Sequence, residues 1–406
     1  MHHMDLGLHR VHSALAALDL ARPPFPCAQI VGTNGKGSTS TFLAEVLSAS
    51  GVRTGLFTSP HFLSPRERIL VDGRQLPETE WLRAAEAVLR VSEDLSPARR
   101  LTYFELVTVM AAWLFREHGC KAAVIEAGLG GAHDATTALA HDLTVYTPIG
   151  LDHERVIGPT LADIARDKAG AMREGVPAVS ARQEPQALDI LTGMARRVGA
   201  PFFLADDIAG EIGQSWPHKP AMLGPHQAEN LRLALAAHHL LAARCGLARD
   251  AAALERAART AFIPGRLQLI AGKDGQPDFL LDGAHNESGL QSLNAALRDL
   301  GIRPHAAIFA CLADKDFPAM LPLVRSLSDG PVYVPGLDVQ GREMDPGELA
   351  RLIGPKAQPV ADMAEALRRV AGLEEPGGTV LICGSLYLLA EAFRLHPEWL
   401  DKPASQ

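Results

Sequence analysis

Residues 30–43 read IVGTNGKGSTSTFL. An apolar run enters a glycine-rich turn, a lysine sits between two glycines, and a Ser/Thr run opens a helical stretch. Strand, glycine turn and helix start are the parts that a phosphate needs. Glycines let backbone N–H groups approach the oxygens, and the free amides and dipole of a helix start favour an anion. Lys36 is placed to neutralise the β and γ phosphates, and Ser38 or Thr39 to reach Mg²⁺ or a phosphate oxygen. The usual pattern puts Ser or Thr directly after the lysine, whereas Gly37 intervenes here. A tight strand-to-helix turn with a solvated lysine remains the alternative.

The same rhythm continues along the chain. CAQIVG (27–32), VRTGLFTS (52–59), AAVIEAG (122–128) and LTVYTPIG (143–150) read as strands. STSTFLAEVLSAS (38–50) and TYFELVTVMAAWLFREHG (102–119) read as helices. Such βαβ alternation indicates a mainly parallel sheet with helices on both faces, with ligands at the carboxyl ends of strands. The 406-residue length makes two domains the expectation. Pro264 and Gly265 punctuate the chain before a second alternation: PDFLLDGAHN (277–286), HAAIFACLADKDF (305–317), GPVYVPG (330–336) and GTVLICGSLYLLAEAF (378–393). The expected organisation is a large α/β domain over residues 1–264 and a smaller one over 265–406.

Composition narrows the function. A net charge of −8 argues against a broad nucleic-acid surface, though not against a small basic pocket for an anion. The five cysteines are odd in number, far apart and free of any CxxC, which fits reduced thiols in a cytoplasm. The N-terminal stretch has no uninterrupted apolar run of signal-peptide type, and Val11, Leu15 and Leu18 fall at helical spacing. No stretch is long and apolar enough to span a bilayer.

Several polar residues stand at strand ends. Glu126 ends a strand beside a glycine-rich turn, His153 follows the next strand, and Ser59 ends a third. Together they can converge on one Mg²⁺, for which carboxylate, hydroxyl and water suit better than imidazole. An N-capping acid and a satisfied loop histidine are the alternative, and Asp152 and Glu154 compete with His153. Lys168, taken by itself, is a solvated helical lysine paired with Asp163 or Asp167. LDGAHN (281–286) reads as a strand-to-helix turn with Asn286 as cap, and ADKD (313–316) as a helix cap with solvated charges. His238 and His239 sit mid-helix and read as packing residues.

Ten segments, in order and over nearly the whole chain, resemble the folate branch of the Mur-ligase superfamily, the folylpolyglutamate and dihydrofolate synthases. They are GTNGKGST (32–39), TSPHFLSPRERI (58–69), TYFELVT (102–108), VIEAGLGGAHDAT (124–136), IGLDHERVIGPTLADIARDKAGAM (149–172), LGPHQAENLRLA (223–234), PGRLQ (264–268) with LDGAHN, ADKD, and GSLYL (384–388). The resemblance implies a P-loop NTPase-like N-terminal domain and a Rossmann-like C-terminal domain. It implies an ATP-dependent ligase joining dihydropteroate or reduced folates to L-glutamate through an acyl phosphate, acting as a cytoplasmic monomer without nucleic-acid or membrane partners.

The resemblance also implies roles. ATP would meet Thr33, Asn34, Gly35, Lys36, Gly37, Ser38, Thr39 and Asn230, with Arg266 and Asp282 from the second domain. Mg²⁺, with a monovalent cation such as K⁺ beside it, would be held by Ser59, Glu126 and His153. Lys168 matches a lysine that the family carbamylates. His285 and Ser385 match positions near the incoming amino acid. The pterin would lie near Thr102, Tyr103, Phe104 and Glu105 and near the turn carrying His133, Asp134 and Ala135.

Two departures fall on that turn. Ala132-His133 replaces the family's Arg-Leu, and Thr137 stands where an Asn is usual. A ligase for another acid, or a muramyl or cyanophycin-type enzyme, is thus an alternative. Muramyl ligases carry an extra N-terminal domain for which a loop beginning by residue 32 leaves no room. A nucleotide-binding switch without ligation would explain the loop and the metal but not LDGAHN, GSLYL or the second domain.

Overall fold

A computed structural model describes residues 7–93, 100–212, 216–217, 219–247, 250–273, 276–339, 341–373 and 378–402. The chain forms two compact units. The first comprises residues 1–150, 157–220 and 228–261, and the second residues 151–156, 221–227 and 262–406. The sequence had assigned everything before residue 265 to one domain. The structure instead groups 151–156 and 221–227 with the C-terminal unit.

The first unit is built on an eight-stranded sheet: β1 (Cys27–Val31), β2 (Thr54–Phe57), β3 (Ile69–Val71), β4 (Arg74–Gln75), β5 (Ala122–Glu126), β6 (Leu143–Tyr146), β7 (Ala178–Ser180) and β8 (Phe202–Leu204). Their order is β4-β3-β2-β5-β1-β6-β7-β8. All pairs from β2 through β8 are parallel; β3 and β4 add a short antiparallel edge. Every residue of β1 is buried, as a strand covered by helices on both faces requires. Ala28 sits opposite Val124 of β5 on one side and Leu143 of β6 on the other. Buried Gln29 is accommodated because its amide donates to the Thr136 and Thr137 hydroxyls at 3.0 and 2.6 Å. Because β5 inserts between β1 and β2 while β6 flanks β1 on the opposite side, the carboxyl end of β1 is a switch point, where such sheets bind ligands.

The helix Lys36–Ala49 begins two residues earlier than the Ser/Thr run suggested, directly on Gly35. The apolar helix Tyr103–Glu117 starts with a reciprocal cap between Thr102 and Glu105 and buries Val107, Met110, Trp113 and Phe115. It shares a core with Val11 and Leu15 of the helix His9–Ala17.

The second unit carries β9 (Gln268–Ile270), β10 (Asp278–Leu281), β11 (Ala306–Phe309), β12 (Val332–Pro335), β13 (Ala357–Val360) and β14 (Thr379–Cys383). The order is β13-β12-β11-β14-β10-β9, parallel except for β9. Here β14 inserts between β10 and β11, so the carboxyl ends of β11, β14 and β10 stand side by side. Among the described residues no helix is long and apolar enough to cross a membrane.

Two predictions follow from burial. Arg10 grips Glu105 through Nε at 3.1 Å to each carboxylate oxygen and Nη2 at 2.8 Å, with both side chains at most 8% exposed. Glu105→Ala removes the carboxylate that pairs the buried Arg10 guanidinium and is expected to cost about 3–5 kcal/mol in urea unfolding, whereas Arg10→Met with Glu105→Leu costs less. All five cysteines are free thiols. Burial pushes Cys120 and Cys311 up to about 12 and raises Cys27 and Cys383 further, while Cys245 is half-buried. Burial raises Cys245 as well, but it is the accessible one, so at pH 8 a thiol reagent should label Cys245 first and the other four only on unfolding.

Candidate active site

The glycine turn leaves β1 at its carboxyl end. Gly35 caps the following helix with φ 86°, a left-handed conformation that favours glycine, and a Cβ there would lie 2.5 Å from Asn230 Oδ1. The Thr33 and Asn34 amides point to the Pro148 carbonyl at 3.0 and 3.3 Å, and the Thr33 hydroxyl donates to the Gly150 carbonyl at 3.0 Å. These two residues pin the loop to the segment after β6. The amides of Lys36, Gly37 and Ser38 occupy the first turn of the helix, where no carbonyl four residues back is available.

Lys36 Nζ donates to the Gly32 and Thr33 carbonyls at 3.2 and 3.1 Å. Lys168 Nζ, buried, donates to the same Gly32 carbonyl at 2.8 Å. Two ammonium groups thus meet at one oxygen, and an anion is the complement of that concentrated charge. Thr39 Oγ1 and Ser40 Oγ are fully buried and have no hydrogen-bond partner among the described residues. Free first-turn amides, a loop lysine and an orphaned hydroxyl fit a polyphosphate with its divalent ion.

The surroundings of Lys168 correct its reading as a solvated residue. Asp163 is taken up by the Thr160 cap and by Arg166 at 3.0 Å. Asp167 has one carboxylate oxygen buried without a partner among the described residues, and burial raises its pKa despite the nearby Lys168 charge. Gly131 packs on the Lys168 backbone so closely that a Cβ would lie 2.6 Å from its Cα and carbonyl oxygen.

Ser59 follows β2 and Glu126 ends β5, the neighbouring strand, so the Ser59 amide donates to Glu126 Oε2 at 3.1 Å. These are hard oxygen donors suited to Mg²⁺. His153 belongs to the second unit, where it has a left-handed backbone with φ 55° and its Nε2 lies 3.9 Å from Asp152.

The expected acid-binding residues divide by burial. Thr102 and Tyr103 are exposed, and Phe104 packs on Phe57 with ring centroids 5.9 Å apart. Arg68 stacks over Tyr103 at 5.8 Å and donates to His61 Nδ1 at 2.8 Å, an aromatic-cation pair that the sequence reading did not single out. Glu105 is committed to Arg10 and to the Thr102 amide at 2.7 Å. Asp134 is also buried: it accepts from the Leu129 and Thr136 amides and the Thr136 hydroxyl, and burial raises its pKa despite those bonds. Ala135 is buried too. Thr137 is explained by packing, since its hydroxyl donates to the Gly131 carbonyl at 2.7 Å and accepts from Gln29. His133 is the exposed side chain of this turn.

In the second unit Asp282 accepts from the Leu267 and Ala284 amides at 2.9 and 2.8 Å, and the Arg266 guanidinium packs against Gly283. Ser385 caps the helix Leu386–Leu395 through the Tyr387 amide at 3.1 Å. Asn286 caps the helix Glu287–Asp299 and Asp316 caps Phe317–Arg325. Lys315 is not solvated: its side chain is 8% exposed and lies 2.5 Å from Asp152. Asp152 also takes Asn286 Nδ2 at 3.0 Å and has His285 Nε2 at 3.6 Å. Burial alone would raise its pKa. The His285 contact and the charges of Lys315, His153 and His285 together hold it well below the usual carboxylate range.

Known proteins resemble this chain in sequence and fold. The model for the Mur ligase glutamate ligase domain matches residues 265–386. The chain is 31% identical over 405 residues to the dihydrofolate synthase/folylpolyglutamate synthase of Escherichia coli, covering 97% of this chain and 92% of that protein. It is 32% identical over 389 residues to a probable bifunctional folylpolyglutamate synthase/dihydropteroate synthase of Haloferax volcanii, covering 90% of this chain but 45% of that longer protein. The Yersinia pestis bifunctional folylpolyglutamate synthase/dihydrofolate synthase, solved with AMPPNP and Mn ion, matches with TM-score 0.85 and 30% identity over 98% of this chain and 95% of its own. Escherichia coli FolC in complex with DHPP and ADP gives TM-score 0.85 at 28% identity, covering 97% and 94%. The chain belongs to the dihydrofolate synthase/folylpolyglutamate synthase family and is an ATP-dependent ligase of the Mur-ligase type.

Proposed function

We propose that the chain forms an amide between the carboxylate of a pterin acid and the α-amine of L-glutamate, converting 7,8-dihydropteroate to dihydrofolate and extending reduced folates. The observation that carries this reading is the loop after β1, where Lys36 and Lys168 meet at the Gly32 carbonyl beside the orphaned Thr39 hydroxyl. A carboxylate does not couple to an amine unaided, because its oxygen is a poor leaving group. Attack of the acid's oxygen on the γ-phosphorus of ATP gives an acyl phosphate and ADP. The amine nitrogen then attacks the acyl carbon, phosphate departs and the nitrogen loses a proton. Lys36 and the first-turn amides neutralise charge on the transferring group, so catalysis is positioning plus electrostatics.

Ser59 and Glu126 would hold the divalent ion, and Mg²⁺ when bound would supply further neutralisation of the phosphate oxygens; His153, the third ligand that the resemblance implies, stands in the second unit. Carbamylation of Lys168, which the family resemblance implies, would replace one of those two ammonium charges by an anionic carbamate whose nitrogen keeps one N–H for the Gly32 carbonyl, leaving Lys36 as the cation of the loop. Arg68, Tyr103 and Phe104 present a cation and aromatic faces suited to an aryl acid. Asn230, Arg266 and Asp282 are assigned to the nucleotide, and His285 and Ser385 to the amino acid, on the family resemblance. A cytoplasmic monomer completes the proposal.

The test is phosphate release with ATP, Mg²⁺ and L-glutamate, offering dihydropteroate or tetrahydrofolate in parallel, with mass spectrometry of the products. A glutamate-sized mass gain on both acceptors is expected. ATP turnover without either product would shift the acid substrate elsewhere and point to the exposed His133. In the same assay Lys36→Met should lower kcat by about 10²–10³-fold, the range for one preorganised charge-stabilising group. Gly131→Ala drives a methyl into the Lys168 backbone and is expected to cost about 1–3 kcal/mol. It should also weaken binding of a nonhydrolysable ATP analogue, read by calorimetry.

A further inference from the structure

The roles assigned above leave Asp152 without one, although it is the most heavily engaged carboxylate of the second unit's site. It stands on the segment 151–156, which follows β6 in sequence but packs within the second unit. Its side chain is 8% exposed. Oδ1 receives Lys315 Nζ at 2.5 Å and the His153 amide at 2.8 Å, and Oδ2 receives Asn286 Nδ2 at 3.0 Å. Three segments, separated by up to 163 residues, are therefore tied to one carboxylate.

Two of those segments are the turns that leave the strands on either side of β14. Lys315 follows β11, and His285 and Asn286 follow β10, with β14 and its Ser385 between them. The His285 ring is oriented by Nδ1, 2.7 Å from the Gly283 carbonyl, which turns Nε2 towards Asp152 Oδ2 at 3.6 Å, an ion pair when the ring is protonated. Asn286 is held at both ends, since its Oδ1 caps the helix Glu287–Asp299 through the Gly289 amide at 2.8 Å. Lys315 is buried against Asp152, so removing the carboxylate charge leaves an uncompensated ammonium that must move.

We propose that Asp152 is a positioning residue for the amino-acid half of the reaction: it clamps the turns after β10 and β11 together and fixes the direction in which His285 points. The proposal rests on glutamate being the incoming amine and acts through His285, not through contact with substrate. It separates the two halves of catalysis, because the glycine loop holding Lys36 is organised by other residues of the first unit.

Wild type, Asp152→Asn, Lys315→Met and the double variant are compared as full chains, with circular dichroism to verify folding. Each single variant should raise the glutamate KM at least about tenfold with the ATP KM within about twofold, and the double should lie within about threefold of the worse single, since coupled residues are not additive. An unchanged glutamate KM in Asp152→Asn, ATP and glutamate constants rising together, or losses that multiply would each overturn the proposal. Nitrogen-15 NMR of the imidazoles supplies a readout independent of turnover. The His285 ring signals, assigned by their loss in His285→Gln, should move in Asp152→Asn; unmoved signals overturn the proposal. If wild type ligates no glutamate, the proposed function falls and those ring signals alone decide on Asp152. If Asp152→Asn does not fold, Lys315→Met and Asn286→Ala carry the same expectations.

Discussion

The Gly32 carbonyl receives both Lys36 and Lys168, and the first unit's site is organised around that oxygen. For Lys36 to reach it, the chain must turn back within four residues, which the left-handed Gly35 permits. For Lys168 to reach it, the helix Leu161–Ala169 must lie against the second glycine turn, which Gly131 permits by having no side chain. The two glycine-rich motifs, roughly a hundred residues apart in sequence, are thus parts of one arrangement. It stands at the carboxyl end of β1 because the strand order reverses there.

The strand order explains why these residue types appear where they do. Glu126 at the end of β5 is buried, and its carboxylate is tolerated because the chain leaving the neighbouring β2 brings the Ser59 amide to it, a compensation that the middle of a strand does not offer. The second unit repeats the logic with β14 between β10 and β11. In both units the motif residues follow strands whose own residues are mostly buried.

Much of this was legible because it is local. The alternation of apolar runs gave the strands, and the residues following them gave the turns. The caps at Asn286 and Asp316 needed only a polar side chain just before a helix. What was not legible depends on partners far away in the chain. Glu105 looked available for substrate because Arg10, its partner, lies 95 residues earlier. Lys315 looked solvated because Asp152 lies 163 residues earlier. The edge strands β3 and β4, three and two residues long, are too short to carry a period.

Lys168 and Lys315, both read as solvated, were misread for one physical cause. A charged residue read in isolation is assigned to solvent, since burying an unpaired charge is costly. When a distant partner exists the assignment reverses, and the buried pair becomes a constraint on which segments travel together. Asp152 shows the consequence: continuity of sequence places the segment 151–156 after β6, yet its paired carboxylate belongs with Lys315 and Asn286. A boundary drawn from punctuation at Pro264-Gly265 carries no information about this earlier segment, which packs with the second unit and whose carboxylate pairs there with Lys315.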